Sequence, residues 1–209
     1  CRTRLYGHGY VGNPHNSFLA LPCPLSSFLL YNLTMQPLHR RSIRLPHYDY
    51  TQPGYYFITL STHLGLTWFG EIDFEAVMRL NSMGKMVESE WQRLSQRFPC
   101  IVLDEYVIMP NHFHAIIRIV GERNLTDEGS QALEAFGRPV KQSIPTIMRS
   151  FKASVTLRAR RMTGDDDLKL WQGNYYERVI RNERGLQAAR LYIQSNPANW
   201  SLDHVNVIG

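Results

Sequence analysis

The chain has 209 residues, 44% of them hydrophobic and 20% charged, with a formal net charge of +5. That length suits one domain with a real core and hardly two, and the composition fits a folded soluble protein. Three cysteines, two of them at Cys1 and Cys23, cannot build a disulfide framework or a zinc cluster, so a reducing cytosol is the expected compartment.

Residues 1–34 read differently from the rest. They are rich in Gly and Pro and contain neither an acid nor a Lys. The apolar stretch 17–33 is broken by Pro22, Pro24, Ser26 and Ser27 and is too short for a membrane span. The same prolines would break a signal peptide's apolar region. The chain opens on Cys1, and Met35 looks like a more natural start. The expectation is a disordered or spurious extension over 1–34 and a single domain over 35–209.

The body alternates. Residues 55–62 follow Pro53-Gly54, are rich in aromatic and β-branched types, and predict a strand. Over 74–98, Val77, Leu80, Gly84, Val87, Trp91 and Leu94 recur at helical spacing and predict a helix. The apolar runs 101–109 and 112–120 flank the turn pair Pro110-Asn111 and predict a hairpin. Residues 144–162 put Ile147, Phe151 and Val155 on one stripe and Arg149, Lys152, Arg160 and Arg161 largely elsewhere, which predicts a basic amphipathic helix. A strand over 175–181 and a helix over 183–195, stopping before Pro197, complete the order. Residues 121–142 and 163–170 are polar connectors. The fold class is therefore α+β: a ferredoxin-like βαββαβ antiparallel sheet with an added C-terminal helix. Two helices would cover one face and leave the other free for a site.

Charge is unevenly distributed. From Arg138 to Arg190, twelve Lys/Arg stand against five acids, an excess of seven that is larger than the net charge of the whole chain. A positive field there is compatible with nucleic acid.

Four polar residues carry the chemistry. His112 and His114 are two apart on an apolar strand, so both leave the face occupied by Phe113, Ala115, Ile117 and Ile119. Tyr192 and Asn196, four apart, share a face of the last helix. Taken singly, each has a plain structural reading: hydrogen-bonded strand histidines, a half-buried aromatic, a helix-end cap. Together, imidazole and carboxamide oxygen make an acceptable ligand set for Mg²⁺ or Mn²⁺. Such an ion can polarise a phosphodiester. A phenol with a pKa of about 10 attacks phosphorus and also leaves it again readily. Around them, Trp171, Tyr175 and Tyr176 either pack the core and a turn or stack unpaired bases, with Arg178 and Arg181 on phosphates. The run from Arg158 to Arg161 is either a solvated face or a phosphate contact, and Arg149 and Lys152 on the same helix are candidate DNA contacts with Arg160 and Arg161.

The segments Met109-Pro-Asn-His-Phe-His114, Trp171-Gln-Gly-Asn-Tyr-Tyr-Glu-Arg-Val-Ile-Arg-Asn182 and Tyr192-Ile-Gln-Ser-Asn-Pro197, in this order, resemble the REP-associated tyrosine transposases. These are single-tyrosine HUH (His-hydrophobic-His) transposases of bacteria. The resemblance spans about Met35 to Leu202; residues 1–34 match nothing, and Gly173 replaces a bulkier polar residue in a loop. It implies a ferredoxin-like sheet with the nucleophile on a C-terminal helix. It implies His112, His114 and Asn196 as metal ligands and Tyr192 as nucleophile. The reaction it implies is cleavage and rejoining of single-stranded DNA through a 5′-phosphotyrosine with Mg²⁺ or Mn²⁺. The substrates would be hairpins of repetitive extragenic palindromes, and the enzyme a nucleoid-associated monomer or homodimer away from any membrane. Three other readings stand beside it. A plasmid-transfer or replication nickase usually comes on a longer chain. A non-catalytic hairpin-DNA-binding regulator would keep the fold and lose the chemistry. An RNA-binding ferredoxin-like domain would need central-strand aromatics on the open face, and Phe113 has the wrong parity for that.

Overall fold

A computed structural model describes residues 48–121 and 140–202. The expected extension over 1–34 lies outside the described residues, as does most of the expected connector 121–142. Four strands form the main sheet: β1 (Gly54–Ser61), β4 (Ile101–Ile108), β5 (His112–Ile119) and β6 (Tyr176–Ile180). Their order is β4-β5-β1-β6, antiparallel throughout. This is the ferredoxin-like arrangement, in which the two chain-central strands of the sheet are the first and third in sequence.

Helices α1 (Ser82–Gln92), the short α2 (Leu94–Arg97) and α3 (Ile144–Thr163) come between these strands, and α4 (Glu183–Ser195) follows the last one. Two caps set the ends of α3. Ser143 Oγ accepts from Thr146 N, and Gly164, in the left-handed region at φ 71°, closes the far end by donating its N–H to the Arg160 carbonyl. Helix α4 starts where Asn182 Oδ1 accepts from Gly185 N at 2.8 Å.

The helix expected over 74–98 begins eight residues late. Gly70–Ile72 (β2) and Met78–Leu80 (β3) form a separate two-stranded ribbon. Asp73 makes its turn: Oδ1 accepts from Glu75 N and Val77 N, and Oδ2 accepts from Arg79 Nε at 2.6 Å. A short acidic side chain that bonds nearby backbone groups offers the chain an alternative to the helix. Helix α1 then waits for Asn81, whose Oδ1 caps Gly84 N at 2.9 Å. Gly84 is itself required, because a Cβ there would strike the Phe69 carbonyl oxygen. Val77 and Leu80 match the helical period only by chance of spacing.

The core lies between the sheet and α1 and α3. Trp91 meets Phe113 edge-on at 4.8 Å and Phe151 at 5.4 Å, pairings worth about 0.5–1.5 kcal/mol each beyond their buried area. Phe113, Ala115, Ile117 and Ile119 all enter this core, as period two requires. On the rim of the same layer, Glu90 ties three arginines, Arg93, Arg97 and Arg158. Burial pushes its carboxyl up, but hydrogen bonds from Arg158, Ser154 and Arg97 outweigh that and hold it below the usual range.

The opposite face is not left bare as expected. Helix α4 lies across it, over β4 and β5, with Ile116, Leu186 and Ile193 buried between them. A β-bulge in β4 prepares this contact. The register shifts between Leu103 and Tyr106, so Ile101, Leu103, Tyr106 and Ile108 all belong to the core side. The two residues of the bulge, Asp104 and Glu105, stand against Ile116 alone and meet Arg190 and Gln194 of α4 instead. Among the described residues, no helix is long and apolar enough to cross a membrane.

Candidate active site

Strand β5 presents His112 and His114 on the α4 side, with ring centroids 4.6 Å apart. Tyr192, on α4, brings its Oη to 3.4 Å from His114 Nε2. The Tyr192 ring also meets His114 at 5.2 Å and Phe57 at 5.9 Å, while Phe57 stacks on His114. Beyond Pro197 the chain winds into a 3₁₀ turn, Pro197–Leu202, that lays Trp200 over His112 with ring centroids 6.0 Å apart. One short stretch, 192–200, thus spans both imidazoles. Asn196 lies within it, one helical turn after Tyr192.

His112, His114 and Asn196 are 0, 2 and 2% exposed, which is unusual for polar side chains and demands partners. Each imidazole is held through Nδ1. His112 Nδ1 is 2.8 Å from Asn111 Oδ1, and His114 Nδ1 is 2.8 Å from Thr59 Oγ1, its direct cross-strand partner. The Asn196 Oδ1, by contrast, is a buried acceptor with no hydrogen bond. Leaving such an atom unsatisfied costs about 1–3 kcal/mol. A cation would satisfy it. Among the described residues, no group of three or more His, Cys, Asp and Glu side chains is placed to hold a metal. The candidate donors are instead two imidazoles and a carboxamide oxygen.

The other expected contacts divide. Helix α3 packs on the face opposite the histidines, so Arg149, Lys152, Arg160 and Arg161 are not beside the imidazoles. Arg149 and Arg161 are exposed. Lys152 Nζ donates to the carbonyls of Gln172 and Gly173, and its burial lowers its pKa. Arg160 Nε donates to the Leu168 carbonyl. Base stacking by Trp171 gives way to its plain reading: it is 8% exposed, in the core, against Phe69 and Phe151. Tyr175 turns the same way and donates its hydroxyl to the buried Glu177. Parity reverses at the next residue. Tyr176 pairs with Thr59 and Arg178 with Phe57, so both stand on the histidine side of the sheet. Arg178 and Arg181 are exposed.

Thr59, Phe57 and Trp200 carry no signal in the sequence, because only the β1–β5 register and the turn after Pro197 bring them to the imidazoles. Asn111 was visible in the motif but reads there as a turn residue.

No family model matches the chain. A protein of Haemophilus influenzae described as uncharacterized is 40% identical over 173 residues, covering 81% of this chain and 94% of that protein. Among solved structures, the chain is similar to a REP-associated tyrosine transposase bound to a REP hairpin, with 16% identity and a TM-score of 0.49 over 80% of this chain and 76% of that one.

Proposed function

We propose that this chain, which belongs to one family with the Haemophilus influenzae protein, cleaves and rejoins single-stranded DNA through Tyr192. The observation that carries this reading is the 3.4 Å approach of Tyr192 Oη to His114 Nε2, with the buried His112 ring 4.6 Å from that of His114 and the buried Asn196 four residues after Tyr192. His112 and His114, through Nε2, and Asn196, through Oδ1, would hold Mg²⁺ or Mn²⁺. When bound, the ion supplies a positive charge that polarises a non-bridging phosphate oxygen.

Tyr192 Oη attacks the phosphorus. An Oη–P bond forms and the P–O3′ bond breaks. The phenol proton passes to solvent, and the departing 3′ oxygen takes one up. The 5′ phosphate stays on Tyr192, and a 3′ hydroxyl reverses the step with the phenol as leaving group. A phenol pKa of about 10 makes both directions accessible. The protein's main contribution is position: α4 fixes the nucleophile against the imidazole pair. All four groups belong to one chain. The motif resemblance further points to palindromic hairpins as substrate and to the bacterial nucleoid as its place of work.

The test uses a hairpin DNA with a single-stranded flank, labelled at its 3′ end. With Mn²⁺ we expect an SDS-resistant labelled adduct, absent with chelator and absent in Tyr192→Phe, which keeps its gel shift. An adduct in Tyr192→Phe would remove the role from this residue. Hairpin binding without cleavage at any metal concentration would favour a non-catalytic regulator.

A further inference from the structure

We propose that Asn111 and Thr59 are positioning residues that fix the tautomers of His112 and His114, so that each imidazole offers its Nε2 lone pair to the site. This rests on the reading of a cation-dependent site given above, and it adds two residues to which the motif assigns no role.

The Asn111 side chain places its Oδ1 2.8 Å from His112 Nδ1. A carboxamide oxygen only accepts, so with the amide in this orientation the proton belongs on Nδ1. In the neutral ring, Nε2 then carries the lone pair. Asn111 is itself pinned: it is 2% exposed, and its carbonyl accepts from Thr62 N at 2.9 Å. Its side chain therefore meets the imidazole from a fixed base. Thr59 does the same for His114 from the neighbouring strand. The two residues are direct partners in the β1–β5 register, and Thr59 Oγ1 lies 2.8 Å from His114 Nδ1. A hydroxyl can turn to accept. With Nδ1 so engaged, the Nε2 of His114 is the atom that faces Tyr192 Oη. Partners on the far nitrogen fix ring orientation and basicity, and their loss typically costs 10- to 100-fold in metal affinity.

The purely structural alternative is that Asn111 serves the turn and Thr59 the strand. It predicts different results. Asn111 does not have a left-handed backbone, so Ala fits its conformation. Thr59→Val keeps shape and strand propensity and removes only the hydroxyl.

The deciding measurement needs no metal. Long-range ¹H–¹⁵N spectra of the neutral imidazoles in the full metal-free chain should show both rings protonated on Nδ1. A wild-type His112 or His114 protonated on Nε2 overturns the inference, whatever the variants do. Next, Mn²⁺ titration calorimetry on the same chain should show weakening of about 10- to 100-fold in Asn111→Ala and in Thr59→Val. Thr59→Ser and Asn111→Asp, which keep an acceptor, should bind within about threefold of wild type. Wild-type affinity in folded Asn111→Ala and Thr59→Val would overturn it. If the wild type binds no Mn²⁺, the cation site of the proposed function falls instead, while the tautomer spectra still judge the two positioning residues.

Discussion

The two faces of the sheet are held by different forces. Towards α1 and α3 the contact is a continuous aromatic and aliphatic layer, centred on Trp91, Phe113 and Phe151. Towards α4, among the described residues, only Ile116, Leu186 and Ile193 are fully buried apolar side chains, with Phe57, Val107 and Ala189 beside them. Directional polar contacts make up the difference. Arg190 clamps Asp104 through Nε at 2.9 Å and Nη2 at 2.6 Å, and Gln194 reaches Glu105 at 3.2 Å. One face thus supplies most of the stability. The other aims a helix, because a few hydrogen bonds constrain position more closely than a small greasy contact does. The proposed site, which would align a phenol with two imidazoles, gains from the second kind of attachment.

This contrast can be broken at several points. The largest effect belongs to the aromatic layer. Trp91→Ala should cost about 3–5 kcal/mol in urea unfolding, while the molecules that remain folded keep their Mn²⁺ affinity. A loss smaller than that from the α4 clamp would contradict the division of labour. Next comes Asp104→Asn, at about 1 kcal/mol, kept low because Arg190 is partly solvated. Its signature lies in pH. The hydrogen bond from Arg190 holds the Asp104 carboxyl below its ordinary value. The pair's stabilisation is therefore complete above the unfolded pKa of about 4 and fades as pH falls through the lower folded value. Thermal melts should show the gap between wild type and Asp104→Asn narrowing below about pH 4. The same variant should slow adduct formation by more than its stability loss explains, because α4 carries Tyr192. The smallest effect is Phe74→Ser on the β2–β3 turn. Phe74 is 96% exposed, so stability should change by no more than about 0.5 kcal/mol and both faces should be unaffected.

Several features were legible along the chain because they depend on a few neighbouring residues. Side-chain alternation separates His112 and His114 from Phe113 without reference to any other strand. Caps and breakers place α4 at Glu183–Ser195, as expected, and put α3 within a residue of 144–162. The four-residue spacing of Tyr192 and Asn196 follows from helix geometry alone. Where a short-range signal competes, the reading fails: the Asp73 turn and the Asn81 cap defeat a helical period over 74–80.

What remains was decided only in three dimensions. The bulge at Asp104 and Glu105, the pairing of Thr59 with His114, and the passage of Trp200 over His112 join residues far apart in sequence. So does the separation of the basic helix from the imidazoles, which lie on opposite faces of the sheet. Periodicity says that a strand has two sides and a helix one apolar stripe. Which stripe covers which side is set by burial summed over the whole sheet, a non-local quantity that no short window of sequence contains.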